Sequence, residues 1–200
     1  MKTFTKVLAL LLLVSMLLSM LAGCIQYDRY LVEIVVKDYG SIRVELITKY
    51  APKTVANFVS LVEKEFYDGL TFHRIIDNFM IQGGCPSGDG TGDAGYEIKG
   101  EFAANGFMGN HIKHDRGVIS MARGGHSMDS ASCQFFITNE DSPHLDGQYA
   151  AFGYVVSGMD VVDKITKDKA PLGDGNGAIK DKTAQPVIES IRVIDRYNVD

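Results

Sequence analysis

Phe72-His73-Arg74-Ile75-Ile76-Asp77-Asn78-Phe79-Met80-Ile81-Gln82-Gly83-Gly84 sets one arginine and one glutamine among large apolar side chains at strand periodicity. Alternation at period two predicts that Phe72, Arg74 and Ile76 share one face of a strand. After the Asp77-Asn78 turn, Met80 and Gln82 should lie together on the next. Such a surface is half apolar and half hydrogen-bonding. A lone arginine in a strand ordinarily snorkels to water, so its meaning depends on the chain around it.

Working outward, alternating β-branched runs at 32–36 and 41–46 flank Asp38-Tyr39-Gly40 and read as a hairpin. Pro52 then opens a helical pattern in which Val55, Phe58, Val59, Val62 and Phe66 recur at three- and four-residue spacing, with Gly69 closing the segment. Strands are predicted at 71–76 and 80–82, followed by a glycine-rich loop from Gly83 to Gly95. Short apolar runs at 118–122, 134–138 and 150–156, a helix over 159–167 and a final strand at 187–194 complete the pattern. Many short strands with two helices, and no repeating strand-helix alternation, predict a mainly β fold. The expected form is a closed eight-stranded antiparallel barrel capped by two α-helices.

Length and composition bound the organisation. Two hundred residues with 46% hydrophobic content support one well-buried core. The first residues fall outside it: Lys2 and Lys6 form a basic region, 7–20 is an apolar stretch short for a membrane span, and Leu21-Ala22-Gly23-Cys24 follows. This resembles a bacterial lipoprotein signal. The resemblance implies a signal peptide over 1–23, lipidation of the Cys24 sulfur and a tether over 24–30, which leaves a single domain over 31–200. It also implies a location outside the cytoplasm, on a membrane surface without spanning it. Ile25 stands where an aspartate is the usual inner-membrane retention signal, which leans toward an outer membrane where there is one.

Without residues 1–23 the chain carries 18 basic against 25 acidic residues, a formal charge of −7. Phosphate backbones are bound by clustered lysine and arginine, so a nucleic-acid partner is not expected. The domain's two cysteines, Cys85 and Cys133, could pair in an oxidising compartment, but sequence cannot place them at disulfide distance, and two buried free thiols are the expectation. Among His73, His111, His114, His126 and His144 there is no H-x-x-x-H pair, and no C-x-x-C occurs, so no metal is expected. Gly90-Thr91-Gly92-Asp93-Ala94-Gly95 satisfies a dinucleotide fingerprint, but the short alternating run after it offers no helix N-terminus for a pyrophosphate. Asp174-Gly175-Asn176-Gly177 reads as a plain turn, lacking the terminal glutamate of a calcium loop.

The remaining motifs are collinear. Phe72-His73-Arg74-Ile75-Ile76, Phe79-Met80-Ile81-Gln82-Gly83-Gly84, Gly90-Thr91-Gly92, Gly117-Val118-Ile119-Ser120-Met121-Ala122, Ser132-Cys133-Gln134-Phe135-Phe136-Ile137 and Leu145-Asp146-Gly147 through Phe152-Gly153 occur in this order. The chain resembles a cyclophilin over about 31–194. The resemblance implies a peptidyl-prolyl cis/trans isomerase that needs no cofactor and acts on proline-containing polypeptides; the oligomeric state is not read from the sequence, and a monomer is the default. Arg74 matches the family's catalytic arginine. Phe79, Met80, Phe136 and Leu145 match its proline pocket, and Gln82 the residue that bonds substrate backbone and holds the arginine. Ala122 and Arg123 match positions whose backbone binds the residues before proline, and Gln134 a polar wall residue.

Three matched positions depart from well-known members. His144 stands where many have tryptophan, Tyr149 where they have histidine, and Arg123 where they have asparagine. The first removes an indole donor used toward cyclosporin. A non-enzymatic peptide-binding module on the same barrel is the rival reading, against which Arg74, Phe79 and Gln82 stand intact.

Overall fold

The structure is a computed structural model that describes residues 27–199. Cys24 and the segment before it, on which the lipid-anchor expectation falls, lie outside those residues. Eight strands form a single antiparallel sheet in the order β3-β4-β6-β5-β7-β2-β1-β8. They are β1 (Arg29–Val36), β2 (Gly40–Ile47), β3 (Phe72–Ile76), β4 (Met80–Gly83), β5 (Val118–Met121), β6 (Phe135–Thr138), β7 (Ala151–Ser157) and β8 (Ile188–Tyr197). Two helices, α1 (Pro52–Glu63) and α2 (Met159–Lys169), pack on it. The expected mainly β architecture with two helices is present, but the barrel is not closed. The sheet is a curled half-barrel whose terminal strands β3 and β8 do not pair. Only their first residues and those just before them meet: Thr71 bridges Val187, Phe72 N–H donates to Pro186 O at 2.9 Å, and Ile188 N–H donates to Leu70 O at 2.8 Å. Beyond these contacts the chain turns at Gly69, with a φ of 79°, on one side and at the 3-10 turn Lys182–Ala184 on the other, and no full ladder forms.

One core fills the concave side. Val32, Ile34 and Val36 of β1 and Ile42, Val44 and Leu46 of β2 point into it at period two, and Ile188 and Ile191 of β8 join them across a register shift. Phe58 of α1 is fully buried, its ring 5.2 to 5.4 Å from those of Tyr67, Phe135 and Phe152. Burying a side chain of this size contributes about 1.5–3 kcal/mol, and α2 adds Val162 and Ile165 to the same cluster. The first helix stops at Glu63, short of Phe66, because Glu65 turns to a positive φ of 55° and Phe66 N–H reaches back to Leu61 O.

The opening of α1 shows how distant segments complete local structure. Its N-cap residue is Ala51, which has no side-chain acceptor, and Pro52 has no N–H. Glu101 supplies what the local sequence lacks: its carboxylate accepts from Lys53 N at 3.0 Å, Thr54 N at 2.8 Å and Thr54 Oγ1 at 2.8 Å. That anion sits at the positive end of the helix dipole and is 2% exposed.

Candidate active site

The register of β3 against β4 builds the site. Arg74 pairs with Gln82, Ile75 with Ile81 and Ile76 with Met80. Ile75 and Ile81 face the main core, while Met80 joins Phe136 and Leu145 in a separate apolar cluster flanked by Ile76, Phe79, Ala122 and Tyr149. The sheet is therefore apolar on both faces here. Phe72 departs from the expected pattern, because the register shifts between Phe72 and Arg74 and breaks the alternation. Phe72 packs in the main core, 5.9 Å from the Phe135 ring, and does not share a face with Arg74.

A cavity of about 80 Å³ opens over the second cluster, lined by Arg74, Phe79, Met80, Gln82, Ala122, Arg123, Phe136, Leu145 and Tyr149. Pockets for drug-sized ligands run to roughly 300–1,000 Å³, so this one admits a single small ring and little else. Gln134 stands beside it, in an adjoining polar trough of about 190 Å³ that also takes in Glu97, His126 and Ser130. His144 lies at the rim with its ring 5.3 Å from that of Phe79. All eleven site residues read from the sequence thus converge on one surface, nine of them around one cavity.

Arg74 is held at two points. Nη1 donates to Gln82 Oε1 at 3.2 Å and Nε donates to the carbonyl of Asn176 at 2.8 Å. Among the described residues no acceptor is bonded to Nη2. Burial lowers the Arg74 pKa from its ordinary value, opposed by Tyr149 and Asp174, and the guanidinium stays charged at neutral pH. Gln82 in turn donates from Nε2 to Gln134 Oε1 at 3.0 Å, which fixes both amides in a definite sense. Arg123 turns its guanidinium over the Tyr149 ring, 4.7 Å from the centroid, and holds that aromatic wall in place.

The Asn176 carbonyl is a feature that sequence reading missed. The segment at 174–177, expected as a plain turn, is an Asx turn in which Asp174 Oδ1 accepts from Asn176 N at 2.9 Å and Ala178 N at 3.2 Å. It is pressed onto β3: Ile75 N–H donates to Gly177 O, and a Cβ on Gly177 would lie 2.3 Å from Ile76 Cγ1 at a φ of +79°. Glycine alone permits that approach. Nothing in the local sequence says that this turn meets an arginine 102 residues away.

Behind the apolar cluster, His114 stacks on Phe136 with ring centroids 6.0 Å apart. Its Nδ1 lies 3.2 Å from Asp146 Oδ1 and its Nε2 lies 3.0 Å from Ser120 Oγ. Serine, histidine and aspartate are in the order of a hydrolase triad, but Ser120 and His114 are fully buried and no substrate reaches them. They brace Phe136 and the loop that carries Leu145. Burial lowers the His114 pKa, with Asp146 opposing.

His73, next to the arginine, is 3% exposed and has no hydrogen-bond partner on either ring nitrogen among the described residues. Burial first, and Arg74 second, lower its pKa to about 4. A histidine held below its unfolded value adds stability above about pH 6.5 that is lost as pH falls toward 4, because only the unfolded chain takes up the proton. Thermal melts should therefore decline between pH 6.5 and 4, and His73→Phe should flatten that decline. An equal decline in wild type and variant would show that His73 is not responsible.

Cys85 and Cys133 are both free and buried, as expected. Among the described residues no group of three or more His, Cys, Asp or Glu side chains could hold a metal ion. Gly90 to Gly95 run as loop with no helix following. Arginine, glutamines and a greasy cavity are the chemistry present.

Comparison with known proteins bears on the family of the chain. Residues 31–193 match the family model described as cyclophilin type peptidyl-prolyl cis-trans isomerase/CLD. The chain is 49% identical over 128 residues to a peptidyl-prolyl cis-trans isomerase of Helicobacter pylori, covering 63% of this chain and 74% of that one. It is 48% identical over 124 residues to peptidyl-prolyl cis-trans isomerase B of Bacillus subtilis, covering 62% and 82%. A Cryptosporidium parvum cyclophilin type isomerase, solved in the presence of the dipeptide Ala-Pro, superimposes with a TM-score of 0.71. It is 29% identical and covers 83% of this chain and 99% of its own.

Proposed function

The chain belongs to the cyclophilin-type peptidyl-prolyl cis-trans isomerases, and from that premise we propose that Arg74 and the cavity beside it catalyse rotation about Xaa-Pro bonds of exported proteins. The observation that carries the assignment is the arginine itself. It is anchored by Gln82 and Asn176 at the mouth of a cavity sized for one small ring.

Rotation about a prolyl amide faces a barrier of roughly 18–20 kcal/mol because the nitrogen lone pair is delocalised into the carbonyl. The uncatalysed process takes tens to hundreds of seconds. Twisting the bond localises the lone pair on nitrogen, and a donor aimed there binds the twisted amide more tightly than the planar one. Catalysis is then differential binding, with no nucleophile and no proton transfer. In this reading the proline ring sits on Met80, Phe136 and Leu145 with Phe79 at the rim. Gln82 bonds the substrate backbone, and the backbone at Ala122 and Arg123 holds the residues before proline. Gln134, His144 and Tyr149 form the walls. The apolar floor excludes water, which would otherwise compete for the guanidinium. Anchoring at Nε and Nη1 leaves the rest of the fork to point at the proline nitrogen without reorganisation.

Exchange spectroscopy on an Ala-Pro tetrapeptide tests the activity directly. Cross-peaks between cis and trans should broaden or grow at catalytic protein concentration, and unaltered exchange at equimolar protein would overturn the proposal. Location rests on the Leu21-Ala22-Gly23-Cys24 box and the apolar run before it. Wild-type protein should incorporate labelled palmitate and sediment with membranes, whereas Cys24→Ser should do neither. Soluble, unlabelled wild-type protein would remove the anchor and the exported-client reading with it.

A further inference from the structure

Cys85 lies just past the end of β4 and is 1% exposed. Its sulfur is the hub of the glycine-rich loop that follows. Gly90 N–H and Gly92 N–H both donate to Sγ at 3.3 Å, and the Ser87 hydroxyl lies 3.2 Å from it. Donors converging on sulfur outweigh the burial that would raise the Cys85 pKa, and the net shift is downward. Gly92 also turns its carbonyl to the hub, accepting from the Cys85 thiol at 3.8 Å. The carbonyls of Gly90 and Gly92 both accept from Gln134 Nε2, at 2.9 and 2.8 Å. Gln134 Oε1 then accepts from Gln82 Nε2, and Gln82 Oε1 accepts from Arg74 Nη1. An unbroken run of hydrogen bonds leads from a buried thiol to the guanidinium.

We infer that Cys85 is a positioning residue for Arg74: its sulfur fixes the 85–92 loop, the loop's carbonyls fix the Gln134 amide, and that amide fixes Gln82 against the arginine. Direction is built into the relay. An amide side chain can turn over, exchanging its oxygen for its nitrogen. Two carbonyls aimed at Gln134 require its NH₂ group on that side, which leaves its oxygen for Gln82 and leaves the Gln82 oxygen for Arg74. Without the loop geometry that Cys85 imposes, Gln134 can flip and turn its NH₂ group to Gln82, which then no longer holds its own oxygen toward the cation. The inference rests on the assignment of Arg74 as the catalytic group.

The test uses the purified protein with ¹⁵N-labelled arginine side chains. Cys85→Ala should shift or broaden the Arg74 guanidinium resonances and lower kcat/KM three- to tenfold, mainly in kcat. Cys85→Ser, which keeps an acceptor at the hub, should recover to within twofold of wild type. In a Gln134→Ala background, adding Cys85→Ala should change kcat/KM by less than twofold, since the relay is already cut. Additive losses, or unmoved Arg74 resonances in Cys85→Ala, would overturn the proposal. Should Cys85→Ala not fold, Gln134→Ala probes the same relay one link on, and unmoved Arg74 resonances there would equally refute it. The resonances report on coupling whatever Arg74 does in catalysis, so an active Arg74→Ala enzyme would disprove the site assignment and leave this readout intact.

Discussion

Arg74→Ala is expected to lower kcat/KM for a proline tetrapeptide by at least tenfold, about 1.4 kcal/mol of transition-state stabilisation, while the fold persists. The estimate follows from what is removed. Hydrogen bonds to charged groups contribute about 1.5–3 kcal/mol each, and one such bond made only to the twisted amide appears wholly in the rate. The loss should fall on kcat and kcat/KM alike, the signature of an interaction absent from the ground state. Stability should change little, because the guanidinium is only half-buried and its anchors can turn to water. Arg74→Lys is expected to remain poor despite its charge. A lysine has no planar fork, so it cannot be gripped at Nε and Nη1 and still offer a fixed donor. Measurement of kcat/KM by protease-coupled assay, beside circular dichroism melts, separates these effects. Full activity in a folded Arg74→Ala protein would end the assignment.

The largest stability effect should come from a residue with no part in the chemistry. Glu101→Ala is expected to destabilise the protein by about 3 kcal/mol, since hydrogen bonds to ionised groups contribute about 1.5–3 kcal/mol each and the contributions of one cluster are not additive. Three donors at the start of α1, two of them backbone N–H groups, converge on this carboxylate. Thr54 is fully buried, so water cannot replace the acceptor without opening the structure. Glu101→Gln keeps one oxygen and should lose roughly half as much. For a domain of this size each kcal/mol lowers Tm by about 2–4 °C, placing the alanine variant roughly 6–12 °C below wild type. Chemical denaturation of the three proteins measures this directly, and a loss under 1 kcal/mol for Glu101→Ala would show that the helix start is satisfied by other means.

These two residues mark how far the sequence could be read. Arg74 was visible because its neighbours are local: the strand, turn and strand around it fix Gln82 and Met80 within a dozen residues. Collinear motifs then brought in Phe136, Leu145 and Tyr149 by resemblance to a family. Glu101 was invisible as a cap. The local sequence offers Ala51 where a capping side chain belongs, and nothing nearby announces that an acid 47 residues beyond Thr54 will supply it. Asn176 and Cys85 were hidden for the same reason, since each acts through a backbone carbonyl or a sulfur whose partners are set only by packing.

Periodicity, turn chemistry and collinear motifs by themselves determined that the chain makes eight short strands and two helices, and that an arginine shares a sheet face with a glutamine and a methionine. Those properties depend on neighbours within a few residues, where side-chain direction follows from backbone geometry. Only the tertiary structure decided that the half-barrel stays open between β3 and β8, that Phe72 turns to the opposite face from Arg74, and that the arginine is gripped from behind by a turn a hundred residues away. The Phe72 turn comes from a register shift within the β3–β4 pair, and the other two from close backbone approaches between distant segments. Such contacts are selected by the packing of the whole core and leave no signature in any one stretch of sequence.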